Sequence, residues 1–176
     1  MLGWVNFGRR LSSKVGHYCT PIHTLDNNIV NLSELASTIS SKLQELEPER
    51  SVEFVFAPDL KVIGDKGLLV QVLENLLGNA WKYTGPCESP RIEVGRVQKG
   101  GQEVNFVRDN GVGFDMAYKN KLFEAFQRLH GAEFKGVGIG LATVKRIVER
   151  HGGTAWAESV VNEGTTVYFT LSKVLA

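Results

Sequence analysis

Apolar residues along this chain follow two rhythms, and the switches between them mark out its elements. Leu32, Leu35, Ala36, Ile39, Leu43 and Leu46 recur at helical spacing. Asn31, with Glu34 one turn on, supplies a capping-box start, and Pro48 closes the helix. Val52, Phe54 and Phe56 then alternate with Glu53 and Val55, as in a half-buried strand that stops at Pro58. Asp65 caps a second helix running to about Tyr83. Strand patterns follow at 91–97 and 103–107, joined through a Gly100-Gly101 turn. Beyond the loop Asp109-Asn110-Gly111-Val112-Gly113, a third helix starts near Leu141 and stops at Gly152-Gly153, where glycine supplies a left-handed cap. The last strands, 154–159 and 165–171, flank an Asn162-Glu163-Gly164 turn. Helices and antiparallel hairpins in this order predict an α/β (α+β) two-layer sandwich, with helices packed on one face of a mixed, mostly antiparallel sheet.

Composition narrows the picture. The 176 residues, 43% of them hydrophobic, suit one globular domain with a real core. Residues 1–30 lack sustained periodicity and are interrupted by Pro21, which predicts a linker or the truncated end of a helix around Trp4 and Phe7. Residues 31–176 are then the folded domain. Formal net charge is +1, and the Lys and Arg are scattered, so no broad field favours nucleic acid or an anionic membrane. Cys19 and Cys87 lie far apart and match no metal spacing, which predicts reduced thiols in a cytoplasmic protein. No apolar run reaches transmembrane length, and no signal peptide is visible.

Three features carry candidate chemistry. On the helix from Asp65 to Tyr83, Gln71, Asn75, Asn79 and Lys82 fall on one stripe opposite a broad apolar face. Solvated stripes are usually Glu, Lys and Arg; paired Asn, with Gly78 costing roughly 1 kcal/mol relative to Ala, suggest a close neighbour on this side. An Asn carbonyl is a hard oxygen ligand for Mg²⁺, and Lys82 suits a phosphate. In the second feature, Asp109 ends a buried-type strand and is a good acceptor for an exocyclic amine, while Gly111 and Gly113 permit close backbone approach. In the third, Gly136-Val137-Gly138-Ile139-Gly140 opens directly into a helix, whose terminal N–H groups and dipole make an anion site. That string lacks the Gly-Lys-Ser/Thr ending of a P-loop and follows no apolar strand, so hinge and phosphate cradle both fit it.

Taken in order, these motifs resemble those of a known family. The run Leu73-Glu74-Asn75-Leu76-Leu77-Gly78-Asn79-Ala80-Trp81-Lys82-Tyr83-Thr84 is similar to the N box of sensor histidine kinases. Asp109 to Gly113 matches the first glycine box, and Leu122-Phe123-Glu124-Ala125-Phe126-Gln127-Arg128-Leu129-His130 looks like the F box. Gly136 to Leu141 resembles the second glycine box, and Glu163-Gly164-Thr165-Thr166-Val167-Tyr168-Phe169 the family's last strand. The wording is closest to kinases of the phytochrome-like type. The resemblance implies the GHKL ATPase sandwich, shared with DNA gyrase, MutL and the large heat-shock chaperones, with ATP and Mg²⁺ as its cofactors.

Carried over by position, the resemblance implies that Asn79 coordinates Mg²⁺ with Asn75 beside it. Lys82 would contact phosphate, and Tyr83 would lie near the nucleotide. Asp109 would accept the adenine amine, with Thr165 adjoining it and Gly111 and Gly113 shaping the pocket. Gly136, Gly138, Gly140 and Leu141 would close the phosphate side, Phe123 and Phe126 would anchor that lid, and Arg128 would reach the γ-phosphate. Val137 stands where the family often has Thr, so one hydroxyl contact to phosphate is missing while backbone donors remain.

The resemblance also implies partners: the dimerisation/phosphoacceptor hairpin of a parent kinase and a response regulator receiver domain, with no nucleic acid and no direct membrane contact. The acceptor histidine is normally followed by an acidic residue and then, a few positions on, by Pro. His17-Tyr18-Cys19-Thr20-Pro21 lacks that acid and the spacing to Pro, and His23, His130 and His151 match no better. His151, at a helix C-terminus, reads as a structural cap. The expectation is a kinase domain acting on a histidine supplied in trans. Its rivals are a GHKL ATPase with water as acceptor and a module that has lost catalysis.

Overall fold

In the computed structural model, which describes residues 25–124 and 138–172, each helix begins and ends on local chemistry. Helix α1 (Leu32–Leu46) starts where Asn31 Oδ1 accepts the Ser33 N–H at 3.1 Å. Glu34 turns to the side-chain amide of Asn31 at 3.0 Å rather than to its backbone N–H, so the cap is a variant of the reciprocal box. Helix α2 (Lys66–Tyr83) is capped by Asp65, whose Oδ1 accepts the Leu68 N–H at 3.0 Å. Helix α3 (Gly140–Arg150) closes with Gly152 N–H on the Glu149 carbonyl and Gly153 N–H on the Val148 carbonyl. Those two bonds form a Schellman motif, and Gly152 takes the left-handed conformation it needs, at φ 69°.

Strands β1 (Asn28–Asn31) and β3 (Lys61–Gly64) pair antiparallel in a small sheet of their own. The other five are β2 (Glu53–Phe56), β4 (Arg91–Lys99), β5 (Gln102–Asp109), β6 (Ala155–Val160) and β7 (Gly164–Phe169). They form one sheet in the order β2-β4-β5-β7-β6, with β2 parallel to β4 and every other pair antiparallel. The expected mixed sheet is therefore present. A short 3₁₀ turn, Met116–Lys121, follows the Asp109–Gly113 loop.

The core lies between this sheet and the helices. From α2 alone, Leu69, Val72, Leu73, Leu76, Leu77, Ala80 and Trp81 are buried, and each large side chain contributes about 1.5–3 kcal/mol by leaving water. They meet the inward row Val94, Val107, Val167 and Ala157, which strand register places side by side. One register step along, towards the C-terminal end of β5, the inward row is Ile92, Asp109, Thr165 and Ser159. The apolar layer thus turns polar at one end of the sheet, and that end carries the candidate site. On the opposite sheet face Val104, Phe106 and Tyr168 form a separate cluster, with Trp156 stacked on Tyr168 at 5.3 Å.

Candidate nucleotide-binding site

Asp109 is the last residue of β5, and its alternation with Asn105 and Val107 points its carboxylate inward. It is only 8% exposed. Oδ1 accepts the Gly111 N–H at 2.9 Å and the Thr165 N–H at 3.3 Å. Burial outweighs these two bonds and pushes the carboxyl up to about 6. A carboxylate held against its own desolvation binds a donor that enters the site strongly.

The glycines around it are required by close packing. A Cβ on Gly111 would lie 2.5 Å from the Tyr83 carbonyl oxygen, and the Val112 N–H donates to that carbonyl at 3.1 Å. The loop after β5 is therefore seated on the C-terminal end of α2. Gly113, at φ 58°, would put a Cβ 2.0 Å from the Val160 carbonyl oxygen. Asn110 fastens the other side: its Oδ1 accepts the Arg91 N–H and its Nδ2 donates to the Ser89 carbonyl, both at 2.8 Å.

On α2, Asn75 donates its Nδ2 to the Gln71 carbonyl at 2.8 Å. Its Oδ1 lies against the start of α3, where a Cβ on Gly140 would come within 2.6 Å. Asn79, one turn on, and Gly78 are half-buried. Among the described residues, nothing lies within 4 Å of a Cβ built on Gly78, beside Asn79. The Lys82 ammonium rests 4.1 Å from the centre of the Tyr83 ring. At α3, the N-cap residue Ile139 makes no side-chain cap hydrogen bond. Gly138 precedes it at φ 75°. Leu141 packs against the core, as does Phe123.

The structure thus brings Asp109, Gly111, Gly113 and Thr165 together at the sheet end, beside Tyr83, and Asn75 together with Gly140. Gly136, Val137, Phe126 and Arg128 lie outside the described residues, as do His17, His23, His130, Cys19, Trp4 and Phe7. Ser159 is absent from the motif-based site. Its hydroxyl accepts the Phe114 N–H at 2.9 Å, donates to the Gly164 carbonyl at 2.8 Å and lies 3.0 Å from Thr165 Oγ1. Its only signal in the sequence is a small hydroxyl on the inward phase of a strand, beside a turn.

The donor set fits Mg-ATP. A buried acceptor suits the base amine, and amide oxygens and a lysine share one stripe of α2. Among the described residues no group of three His, Cys, Asp or Glu gathers to hold a metal. Mg²⁺ needs no such cage, since it keeps waters and shares phosphate oxygens.

Residues 64–175 match the family model described as histidine kinase-, DNA gyrase B- and HSP90-like ATPase. Cyanobacterial phytochrome A of Nostoc sp. is 35% identical over 144 residues, covering 80% of this chain and 19% of that relative. The chain therefore spans a small part of the curated relative it matches. Among solved structures, the catalytic domain of histidine kinase ThkA is 28% identical with a TM-score of 0.68, over 84% of this chain and 96% of that one. Full-length ShkA, solved in complex with AMPPNP, is 25% identical with a TM-score of 0.67, over 83% of this chain and 31% of that one. Motif order, sheet topology and these likenesses agree: the chain belongs to the histidine kinase-, DNA gyrase B- and HSP90-like ATPase family.

Proposed function

We propose that this chain binds Mg-ATP and presents its γ-phosphoryl group to a histidine on the dimerisation/phosphoacceptor hairpin of a longer parent kinase. The buried Asp109 carboxylate carries the reading: burial at the polar end of the sheet penalises its charge, and an acceptor so desolvated gains from a donor that enters the site. Asp109 accepts the adenine amine, Thr165 adjoins it, and Gly111 and Gly113 admit the base. Lys82 and the amides at Gly140 and Leu141 serve the phosphates, with Gly136 and Gly138 of the glycine run. Asn79 and Asn75 supply amide oxygens for Mg²⁺, and Arg128 reaches the γ-phosphate. Held by Asn79 and Asn75, Mg²⁺ would offset the negative charge that develops in transfer.

In the transfer itself, a histidine ring nitrogen of the hairpin attacks the γ-phosphorus, the bond to the β-phosphate oxygen breaks, and ADP leaves. This chain contributes positioning and charge neutralisation. The phosphoryl group then passes to a response regulator receiver domain in the cytoplasm. No helix among the described residues is long and apolar enough to cross a membrane.

Hydrolysis by a base on α2 finds no support. Asn75, one turn before Asn79, is an amide that donates to the Gln71 carbonyl, and Glu74 is exposed on another side of the helix. The test is phosphoryl transfer from γ-labelled ATP to an added cognate hairpin. Label on the hairpin histidine is expected. Normal ATP binding without label on a verified cognate hairpin contradicts the transfer.

A further inference from the structure

We propose that Ser159 sets the base selectivity of the nucleotide site by fixing the direction of the Thr165 hydroxyl proton. The inference rests on the nucleotide reading above. A serine hydroxyl has one proton and two lone pairs. That of Ser159 gives its proton to the Gly164 carbonyl at 2.8 Å and accepts the Phe114 N–H at 2.9 Å. The 3.0 Å contact with Thr165 Oγ1 is then a bond donated by Thr165 into the remaining lone pair. The single proton of Thr165 is committed, and its hydroxyl offers a ligand only lone pairs. Thr165 stands opposite Asp109 in strand register, with its N–H on Asp109 Oδ1, so this hydroxyl flanks the carboxylate.

The carboxylate alone does not choose the base. It accepts from the amine of adenine, and equally from the ring N1–H of a six-oxo purine. The two bases differ at position six, where an amine donates and an oxo group accepts. With Thr165 showing lone pairs, a six-amino purine satisfies Asp109 and Thr165 together. A six-oxo purine sets its oxygen against that of Thr165 and leaves both without a proton between them, a mismatch that desolvation makes costly. Ser159 touches no ligand in this account. It is a positioning residue, acting through Thr165.

The experiment measures affinity for ATP and for inosine triphosphate, in the presence of Mg²⁺, by calorimetry on wild type, Ser159→Ala, Ser159→Thr and Thr165→Val. Ser159→Ala frees the Thr165 proton to turn towards the base, and the ATP preference narrows by about tenfold. Ser159→Thr restores the preference. Thr165→Val narrows it as well, and Ser159→Ala in that background changes the ratio no further. A serine that merely braces the loop weakens both nucleotides in parallel; a constant ratio in Ser159→Ala overturns the proposal, as does a wild-type ratio in Thr165→Val. Wild type that takes neither nucleotide defeats the nucleotide reading and Ser159's role with it. Wild type that binds ATP while Ser159→Ala keeps its ratio defeats the selectivity role alone.

Discussion

The backbone N–H of Asp65 donates to Nε2 of His151 at 3.0 Å, which ties the first turn of α2 to the end of α3. The same ring meets the Ile147 carbonyl through Nδ1 at 2.8 Å, so its hydrogen sits on Nδ1. His151 is 4% exposed, and Gly64 makes room for it: a Cβ there would lie 3.0 Å from the ring. Asn75 and Gly140 join the same two helices near the other end of α3. We expect His151→Leu to lower the unfolding free energy by about 1–3 kcal/mol, because a buried N–H loses its acceptor. Urea unfolding measures this, and a variant as stable as wild type rules out the tie.

Asp109 makes stability depend on pH in an unusual direction. Its folded value, about 6, lies above the ordinary carboxylate value of 3.8. The protonated form is therefore favoured by folding, and its contribution is complete below about pH 4 and lost as pH rises through 6. A shift of about two units is worth on the order of 3 kcal/mol. Asp109→Asn retains an Oδ1 for the Gly111 and Thr165 N–H groups without the charge. Its melting temperature should exceed that of wild type at pH 8, with the gap closing below pH 4. Equal gaps at both pH values, or a less stable variant at pH 8, contradict the assignment.

Gly78 separates stability from binding on α2. Among the described residues nothing lies within 4 Å of its Cβ position, and glycine inside a helix costs about 1 kcal/mol relative to alanine. Gly78→Ala is predicted to stabilise the ligand-free protein by about that amount while weakening ATP, because the new methyl enters the space facing the Asn75–Lys82 stripe. Thermal melts with and without ATP measure both effects. Stabilisation with unchanged affinity would move the ligand away from this stripe.

Much of this site is legible in sequence because its signals are local. Caps at Asp65 and Gly152 and the apolar spacing of α2 are each written within a turn or two of chain, whereas the glycines after Asp109 are visible in sequence but pack on distant Tyr83 and Val160. The missed parts depend on distant pairing. Strands β1 and β3 span four residues each, expose Asn28, Ile29 and Lys61, and show no alternation long enough to read before they meet. The role of Ser159 exists only through sheet register, which sets it beside Thr165 and under Phe114. Cys87 is equally opaque in sequence; in the fold its thiol donates to the Asn110 carbonyl, and burial pushes it above its ordinary range.

Asn79 is the proposed metal contact with the plainest readout. Asn79→Ala removes an amide oxygen from the α2 stripe, and the improvement in ATP affinity on adding Mg²⁺ should shrink about tenfold or more. Titrations with and without the metal report it. An unchanged metal dependence would place Mg²⁺ elsewhere.

The most direct test of the central claim is ATP titration of the ligand-free protein by calorimetry, wild type against Asp109→Asn. The carboxylate accepts the adenine amine in this account, whereas the asparagine presents a donor beside it. Wild type should bind ATP, and Asp109→Asn should lose at least about a hundredfold in affinity while remaining folded. ATP bound equally well by a folded Asp109→Asn, or not bound by wild type at all, contradicts the account.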